Sequence, residues 1–412
     1  MTDVYVVGIG MTPFGKFFEK SVKDLTREAV DAALRDAGTD QSALDCAFFA
    51  NAAQAAMEGQ FMIPGEVALR SMGIAEIPVT NVENACASAS TAFHLAYAHV
   101  KAGLADVALA IGAEKMYDRD KAKSFAVFNG AWDVHDVDRI VAGLSRLGDG
   151  VEPPPGRDVD GGQRSVFMDV YAALAKFHMK TFGLTERQLA AVAAKNHFHS
   201  TMNPLSQHRN DMTVDEVLSA RMIAWPLTLP MCAPISDGAA AAILCSADAV
   251  KRFGAARAVK VCATVLASGS DRKPEEVERH VTRRAAAKAY EAAGVGPGDM
   301  SVAEVHDASA FAEVVQAENL GFCDLGQGGW LAERGETRLG GRIPINPSGG
   351  LESKGHPIGA TGLGQIYELV TQLRREAGAR QVEGARFAIA ENGGGFHGCE
   401  EAIACITILS RA

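Results

Sequence analysis

"REAVDAALRDAGTDQSALDCAFFAN", residues 27–51, can be laid without gaps on "RRAAAKAYEAAGVGPGDMSVAEVHD", residues 283–307. Arg27/Arg283, Ala29/Ala285, Ala33/Ala289, Ala37/Ala293, Gly38/Gly294 and Ala47/Ala303 coincide. Matches between alanines carry little weight. The shared order carries more: an amphipathic helix, a glycine stop, a spacer and an apolar strand. Two weaker echoes follow, "ADVALAIGAE" (105–114) against "ARFAIAENGG" (385–394) and "GAAAAILCS" (238–246) against "EEAIACITI" (400–408). Short β runs alternate with helical stretches throughout, so the chain reads as an α/β protein built from two similar halves.

The echoes also locate an insertion. In the second half only a glycine-rich turn around 391–399 separates the last two strands, whereas about 120 residues lie between their counterparts in the first. The segment 115–236 is therefore expected to be a helical excursion, with helices over "VFMDVYAALAKFHMKTFG" and "TERQLAAVAAKNHFHSTMN" and an exposed loop at 148–162. The expected division is a first half of 1–114 plus 237–255, a loop domain of 115–236 and a second half of 256–412.

Composition narrows the function classes. The 412 residues are 48% hydrophobic and 22% charged, as in ordinary soluble domains. A formal charge of −10 and the lack of a Lys/Arg block argue against a nucleic-acid partner. No run approaches the roughly 18 apolar residues of a membrane span, and the N-terminus does not read as a signal peptide. A cytoplasmic location is expected. The eight cysteines show neither CxxC spacing nor a Cys/His cluster, so neither a metal nor a disulfide framework is expected, and most thiols read as core filler.

Four places hold chemistry. In "NVENACASASTAF" (81–93), Cys86 sits just before the helical stretch 90–103, where unpaired N–H groups and the helix dipole favour a thiolate. Read locally, it is either a nucleophile or a small buried hydrophobe. "NPSGGLESKGHPIGATGLGQIYELVTQL" (346–373) is a glycine-rich loop entering a helix, with His356 at a turn as a base for a thiol or as a structural turn residue. "VAEVHDASAFAEV" (302–314) ends a strand at His306-Asp307, where α/β folds gather ligands. The turn "ENGGGFHGCEE" (391–401) offers backbone N–H groups to an oxyanion.

"NACASAS", "SDGAAAAIL" (236–244), "HDAS", "GGLESKGHPIGATG" and the final glycine-rich turn, in that order over essentially the whole chain, resemble the thiolase superfamily. The opening "VGIGMTPFGKF" and the His-Asp pair resemble its sterol-carrier-protein type, a branch that often works with a small zinc-ribbon/OB-fold companion protein. The resemblance implies two βαβαβαββ halves packed as a layered α-β-α-β-α core, with the loop domain inserted in the first. It implies Cys86 as the acyl-accepting nucleophile and His356 as the base that deprotonates it. His306 is implied in one oxyanion hole, and the N–H groups of Cys86 and Gly393 in the other. Where better-known thiolases carry a second cysteine that moves the α-proton, this chain has Glu391, and where some relatives place a cysteine after His-Asp it has Ala308. Glu391 or His356 would then take that role.

The implied activity is cleavage of a 3-oxoacyl-CoA by CoA, or the reverse Claisen condensation, in lipid degradation. Coenzyme A is the co-substrate and no cofactor is permanently bound. A homodimer or dimer of dimers is implied. Two alternatives stay open: a retro-aldol lyase acting on β-hydroxyacyl-CoA side chains, and a non-catalytic acyl-CoA-binding subunit.

Overall fold

The computed structural model describes residues 2–157 and 164–411. The first half begins with β1 (Val4–Met11), α1 (Val22–Ala37), β2 (Cys46–Ala50), α2 (Gln54–Glu58), α3 (Pro64–Arg70) and β3 (Val79–Val82). It continues through α4 (Ser88–Lys101) and β4 (Val107–Glu114). Next come α5 (Lys121–Ala126), α6 (Val137–Ser145), α7 (Val166–Phe182), α8 (Glu186–Thr201) and α9 (Val214–Ser219). A small hairpin, β5 (Met222–Ala224) and β6 (Leu227–Thr228), leads back into β7 (Gly238–Ser246). The remainder is β8 (Val259–Ser268), α10 (Val281–Ala293), β9 (Val302–Glu304), α11 (Ala310–Asn319), α12 (Gly328–Glu333), α13 (Thr361–Arg374), β10 (Phe387–Gly394) and β11 (Ile403–Arg411).

Local chemistry sets the boundaries of the repeated unit. Ser21 caps α1 in a capping box with Asp24, satisfying first-turn N–H groups, and left-handed Gly38 ends the helix. Its counterpart α10 ends on left-handed Gly294. Single 3₁₀ turns follow at Gln41–Ala43 and Pro297–Asp299, then β2 and β9. The gapless alignment of 27–51 on 283–307 thus holds residue for residue, and so does that of 105–114 on 385–394, since β4 and β10 begin at corresponding positions.

The third echo is out of register. β4 pairs with β7 through Glu114↔Gly238, and β10 with β11 through Gly394↔Ile403. The residue matching Gly238 is therefore Ile403, three positions beyond the alignment that starts at Glu400. Alanine-rich strings look alike at any shift, and only the hydrogen-bonded ladder fixes the register. Glu391 likewise lies inside β10, and the turn proper runs from 395 to 402.

The strands form one sheet in the order β3-β2-β4-β7-β1-β8-β11-β10-β9. β1 and β8 join antiparallel through Tyr5↔Lys260 and Val6↔Val259, so the second half repeats the first in mirrored order about that junction. The place of a third strand in the second half is taken by Ile345, which bridges Ala303 in parallel.

Side-chain alternation separates the layers. Val107, Leu109 and Ile111 of β4 pack against α1, while Ala108 and Ala110 face α4 and α13 on the other side. In the second half Ile389, Ile406 and Ile408 meet α10, while Ala388 and Leu409 turn inward to the same central pair of helices. Two helices therefore lie between the two halves of the sheet, with α1 and α10 outside. At the closest approach of α13 to α4, a Cβ on Gly362 would stand 1.9 Å from Ser90 Oγ, so the position admits only glycine. Of the segment 148–162, expected as a loop, residues 158–162 lie outside the described region, while 151–154 carry no regular structure. The helices expected over 166–183 and 185–203 are α7 and α8.

Candidate active site

The first strand-to-helix junction carries Cys86. β3 ends at Val82, and Ala85–Ala87 form a 3₁₀ turn leading into α4. Ala85 has φ 49°, a left-handed conformation that costs a non-glycine residue energy and swings the next side chain out of the helix line. Ser88 Oγ accepts the Asn84 N–H and donates to the Ala85 carbonyl, tying the turn together.

The second half supplies the imidazoles. Cys86 Sγ and one ring nitrogen each of His306 and His356 lie within 4.8 Å of one another, and the two rings meet edge-on at 5.1 Å. One sulfur and two imidazoles are also donors that a zinc-type ion accepts, and this is the one such group among the described residues.

His356 is held in one tautomer. Thr361 Oγ1 donates to the Pro357 carbonyl at 3.1 Å, so it receives a proton from His356 Nδ1, 2.7 Å away. The other nitrogen, Nε2, is left as an acceptor for a thiol proton. The backbone N–H of His356 donates to Ser236 Oγ, whose hydroxyl donates to Gln207 Oε1.

Burial sets the resting charges. It pushes the Cys86 thiol up to about 12, with Glu114 and Glu83 adding to the rise. It also holds His356 well below its ordinary value, with His306 adding repulsion, and lowers His306 to about 4. The thiolate expected from the helix N-terminus is therefore not the resting state, because desolvation and two carboxylates outweigh the dipole. The site rests as a neutral thiol beside a neutral imidazole acceptor.

Cys86, His306 and His356 open into a cavity of about 870 Å³. Phe125, Phe128, Phe167 and Tyr171 form part of its wall, and Lys16, Lys121, Arg164 and Arg221 also line it. Both ring nitrogens of His306 lack a hydrogen-bond partner although the residue is buried, so whichever carries the proton of the neutral ring is free to donate to a ligand oxygen.

The two remaining expected residues are placed differently. Glu391 is fully buried and absent from the cavity wall. Its Oε2 accepts the His306 N–H at 2.9 Å and its Oε1 lies 3.5 Å from Thr282 Oγ1. Burial raises it to about 8, helped by Glu401, so it holds its proton at neutral pH. Gly393 lies in β10 one residue before Gly394, and Gly394 and Gly395 form the wall beside Cys86. Cys399 turns away, donating to the Arg272 carbonyl.

Several supporting residues have no role assigned from the sequence. Asp237 accepts the N–H groups of Met116, Tyr117 and Phe17 and pairs with Lys115 at 2.7 Å, fixing the chain where it leaves β4. Glu114 accepts N–H groups from Ala52, Ala53 and Gly359, joining the first half to the loop that carries His356. Asp307 accepts the Leu351 N–H at 2.7 Å, and Asn196 Nδ2 reaches Asp307, Glu313 and Glu352, each at 3.1 Å. Glu401 stands in the cavity wall. Their one sequence signal was a set of acids at strand ends and in glycine-rich turns.

Residues 4–248 match the family model "Thiolase, N-terminal domain", and 267–411 match "Thiolase C-terminal domain-like". The chain belongs to the thiolase family. Among its relatives is an acetyl-CoA acetyltransferase of Methanothermobacter thermautotrophicus, 38% identical over 416 residues and covering 100% of both chains. Another is sterol carrier protein 2 of Gallus gallus, 40% identical over 94% of this chain and 69% of that one. The solved "Ltp2-ChsH2(DUF35) aldolase" superposes with a TM-score of 0.75 over 99% of this chain and 98% of that one, at 21% identity, and so shares the thiolase fold. The sterol-carrier-type thiolase resemblance seen in the motifs is thus matched by a sterol carrier protein 2 relative over 94% of the chain, in a family of acyltransferase enzymes.

Proposed function

We propose that this thiolase-family chain cleaves a 3-oxoacyl-CoA with CoA, or runs the reverse condensation, through an acyl intermediate on Cys86. One observation carries the reading: Thr361 leaves His356 Nε2 as the proton acceptor beside the Cys86 thiol. In the cleavage direction Cys86 Sγ attacks the 3-oxo carbon as its proton passes to His356. The C–C bond breaks, and the electron pair leaves as an enolate whose oxygen accepts the one N–H of the neutral His306 ring. Backbone N–H groups beside Cys86, with Gly393 as the family match, serve the carbonyl under attack. The cations Lys16, Lys121, Arg164 and Arg221 along the cavity suit the phosphates of coenzyme A as co-substrate, with no permanently bound cofactor.

The test is intact-mass measurement after incubation with acetyl-CoA and longer acyl-CoAs. An acyl adduct that maps to Cys86, with CoA-dependent cleavage of 3-oxoacyl-CoA, supports the reading. An unmodified thiol with every acyl-CoA tried sinks it. Release of an aldehyde or ketone from a β-hydroxyacyl-CoA would select the lyase, a reading that the absence of a second cysteine at Glu391 and Ala308 favours.

The wider setting is proposed with it. Residues 115–236 act as a loop domain between halves 1–114 plus 237–255 and 256–412. A homodimer is supported by β3, which ends the sheet, and by the exposed apolar Phe61, Met62 and Ile63. A cytoplasmic role in lipid degradation is consistent with the described residues, among which no helix is long and apolar enough to cross a membrane. A small zinc-ribbon/OB-fold companion rests on family resemblance, and full activity of the purified chain alone would remove it.

A further inference from the structure

The proton of the α-carbon needs a carrier, and the two acids of the glycine-rich segment are not equivalent. Glu391, in the place of the second cysteine, points behind His306 and spends an oxygen on that residue's backbone. Glu401, ten positions on, lies in the same cavity wall as Cys86, His306 and His356. It is 8% exposed. Its Oε1 is fixed by Gln316 Nε2 at 3.1 Å, while its Oε2 has one charged neighbour, the His280 imidazole, and no other polar partner. A carboxylate oxygen offers two lone pairs, so one neighbour on Oε2 leaves acceptor capacity on the cavity side for a ligand or a proton.

The surroundings keep that oxygen in place. His280 Nε2 stands 3.2 Å from Oε2, and its Nδ1 caps α10 by accepting the Thr282 N–H, which fixes the ring. The β10 backbone packs against the side chain closely enough that a Cβ on Gly393 would come 2.7 Å from Glu401 Cγ. Burial pushes the Glu401 carboxyl upward, but His280 outweighs it and holds it at about 2. Glu401 is thus ionised at neutral pH where Glu391 keeps its proton.

We propose that Glu401, through Oε2, takes the α-proton of the incoming acyl thioester. The inference rests on the acyl-transfer reading above. In the condensation direction the α-carbon's C–H bond breaks and an O–H bond forms on Glu401. The electron pair is held as an enolate with its charge on the thioester oxygen beside His306. A C–C bond then forms to the acyl carbon as its C–S bond to Cys86 breaks. The sulfur takes up one proton and Glu401 gives one to solvent, which closes the count. Glu391 becomes a positioning residue that holds the His306 backbone.

The experiment compares Glu401→Gln with the full-length wild type in D₂O. It follows the Cys86 acyl adduct by mass and exchange of the acetyl-CoA α-hydrogens by NMR. Glu401→Gln is expected to form the adduct within about threefold of the wild-type rate and to exchange at least about 100-fold more slowly. Glu401→Asp keeps the charge but shortens the reach, and covers the case in which the amide variant fails to fold. It is expected to exchange at least about tenfold more slowly. Exchange within about threefold of wild type in either variant overturns the proposal, as does a wild type that acylates without exchanging. Absence of any adduct in the wild type overturns the acyl-transfer reading instead.

Discussion

Glu391 Oε2 accepts the backbone N–H of His306 at 2.9 Å, linking β10 to the end of β9 from behind the imidazole. Burial raises the Glu391 carboxyl from 4.5 to about 8. The native state therefore binds this proton more tightly than the unfolded chain does. The resulting stability is fully present below about pH 4.5 and is lost as pH rises toward 8, at ~1.4 kcal/mol per unit at most. Urea midpoints of wild type and Glu391→Gln at pH 5 and pH 8 should show the variant gaining on the wild type at the higher pH. Parallel behaviour at both would refute the protonated Glu391.

Cys86, raised to about 12, should behave as a thiol in the free enzyme. Its alkylation by iodoacetamide, followed by peptide mapping, is expected to climb about tenfold per pH unit from 7 to 9 without a plateau. Fast alkylation that is flat over that range would mean a resting thiolate–imidazolium pair.

Thr361 fixes the His356 tautomer, so Thr361→Val should slow Cys86 acylation by about 100-fold, with about 1–3 kcal/mol of stability lost to the orphaned Nδ1–H. Thr361→Ser keeps the hydroxyl and should restore most of the rate. Equal rates in the two variants would show that the hydroxyl does not orient the ring.

Gly362 admits no Cβ against Ser90 Oγ at 1.9 Å, so Gly362→Ala must force α4 and α13 apart. A loss of about 1–3 kcal/mol is expected in urea unfolding. The acylation rate should fall as well, because Cys86 and His356 lie at the N-terminal ends of these two helices.

Much of this molecule was legible because caps and periodicity are local. Gly38 and Gly294 end matching helices, and the strands after them follow the alternation of small and large apolar residues. The Cys86, His306 and His356 positions were legible through their motifs. What stayed hidden depends on the path of the chain in space. The slip of three at β11 followed from alanine repetition, and only pairing with β10 resolves it. The charge of Cys86 depended first on its burial and then on Glu114, distant in sequence and near in space. Glu401 was passed over because nothing in "GCEEA" says which of the two acids faces a cavity. In the fold Glu400 pairs with Arg272 at 2.8 Å while Glu401 lines the cavity shared by Cys86, His306 and His356.

The sheet junction at Tyr5↔Lys260 and Val6↔Val259 places the thiol on one side and both imidazoles on the other. The exposed stretch around 254–257 connects them. A chain severed there would yield two fragments, each carrying an incomplete set of reactive groups. Acylation of Cys86 would then report their reunion, turning the enzyme into a split reporter whose signal appears only when both pieces dock.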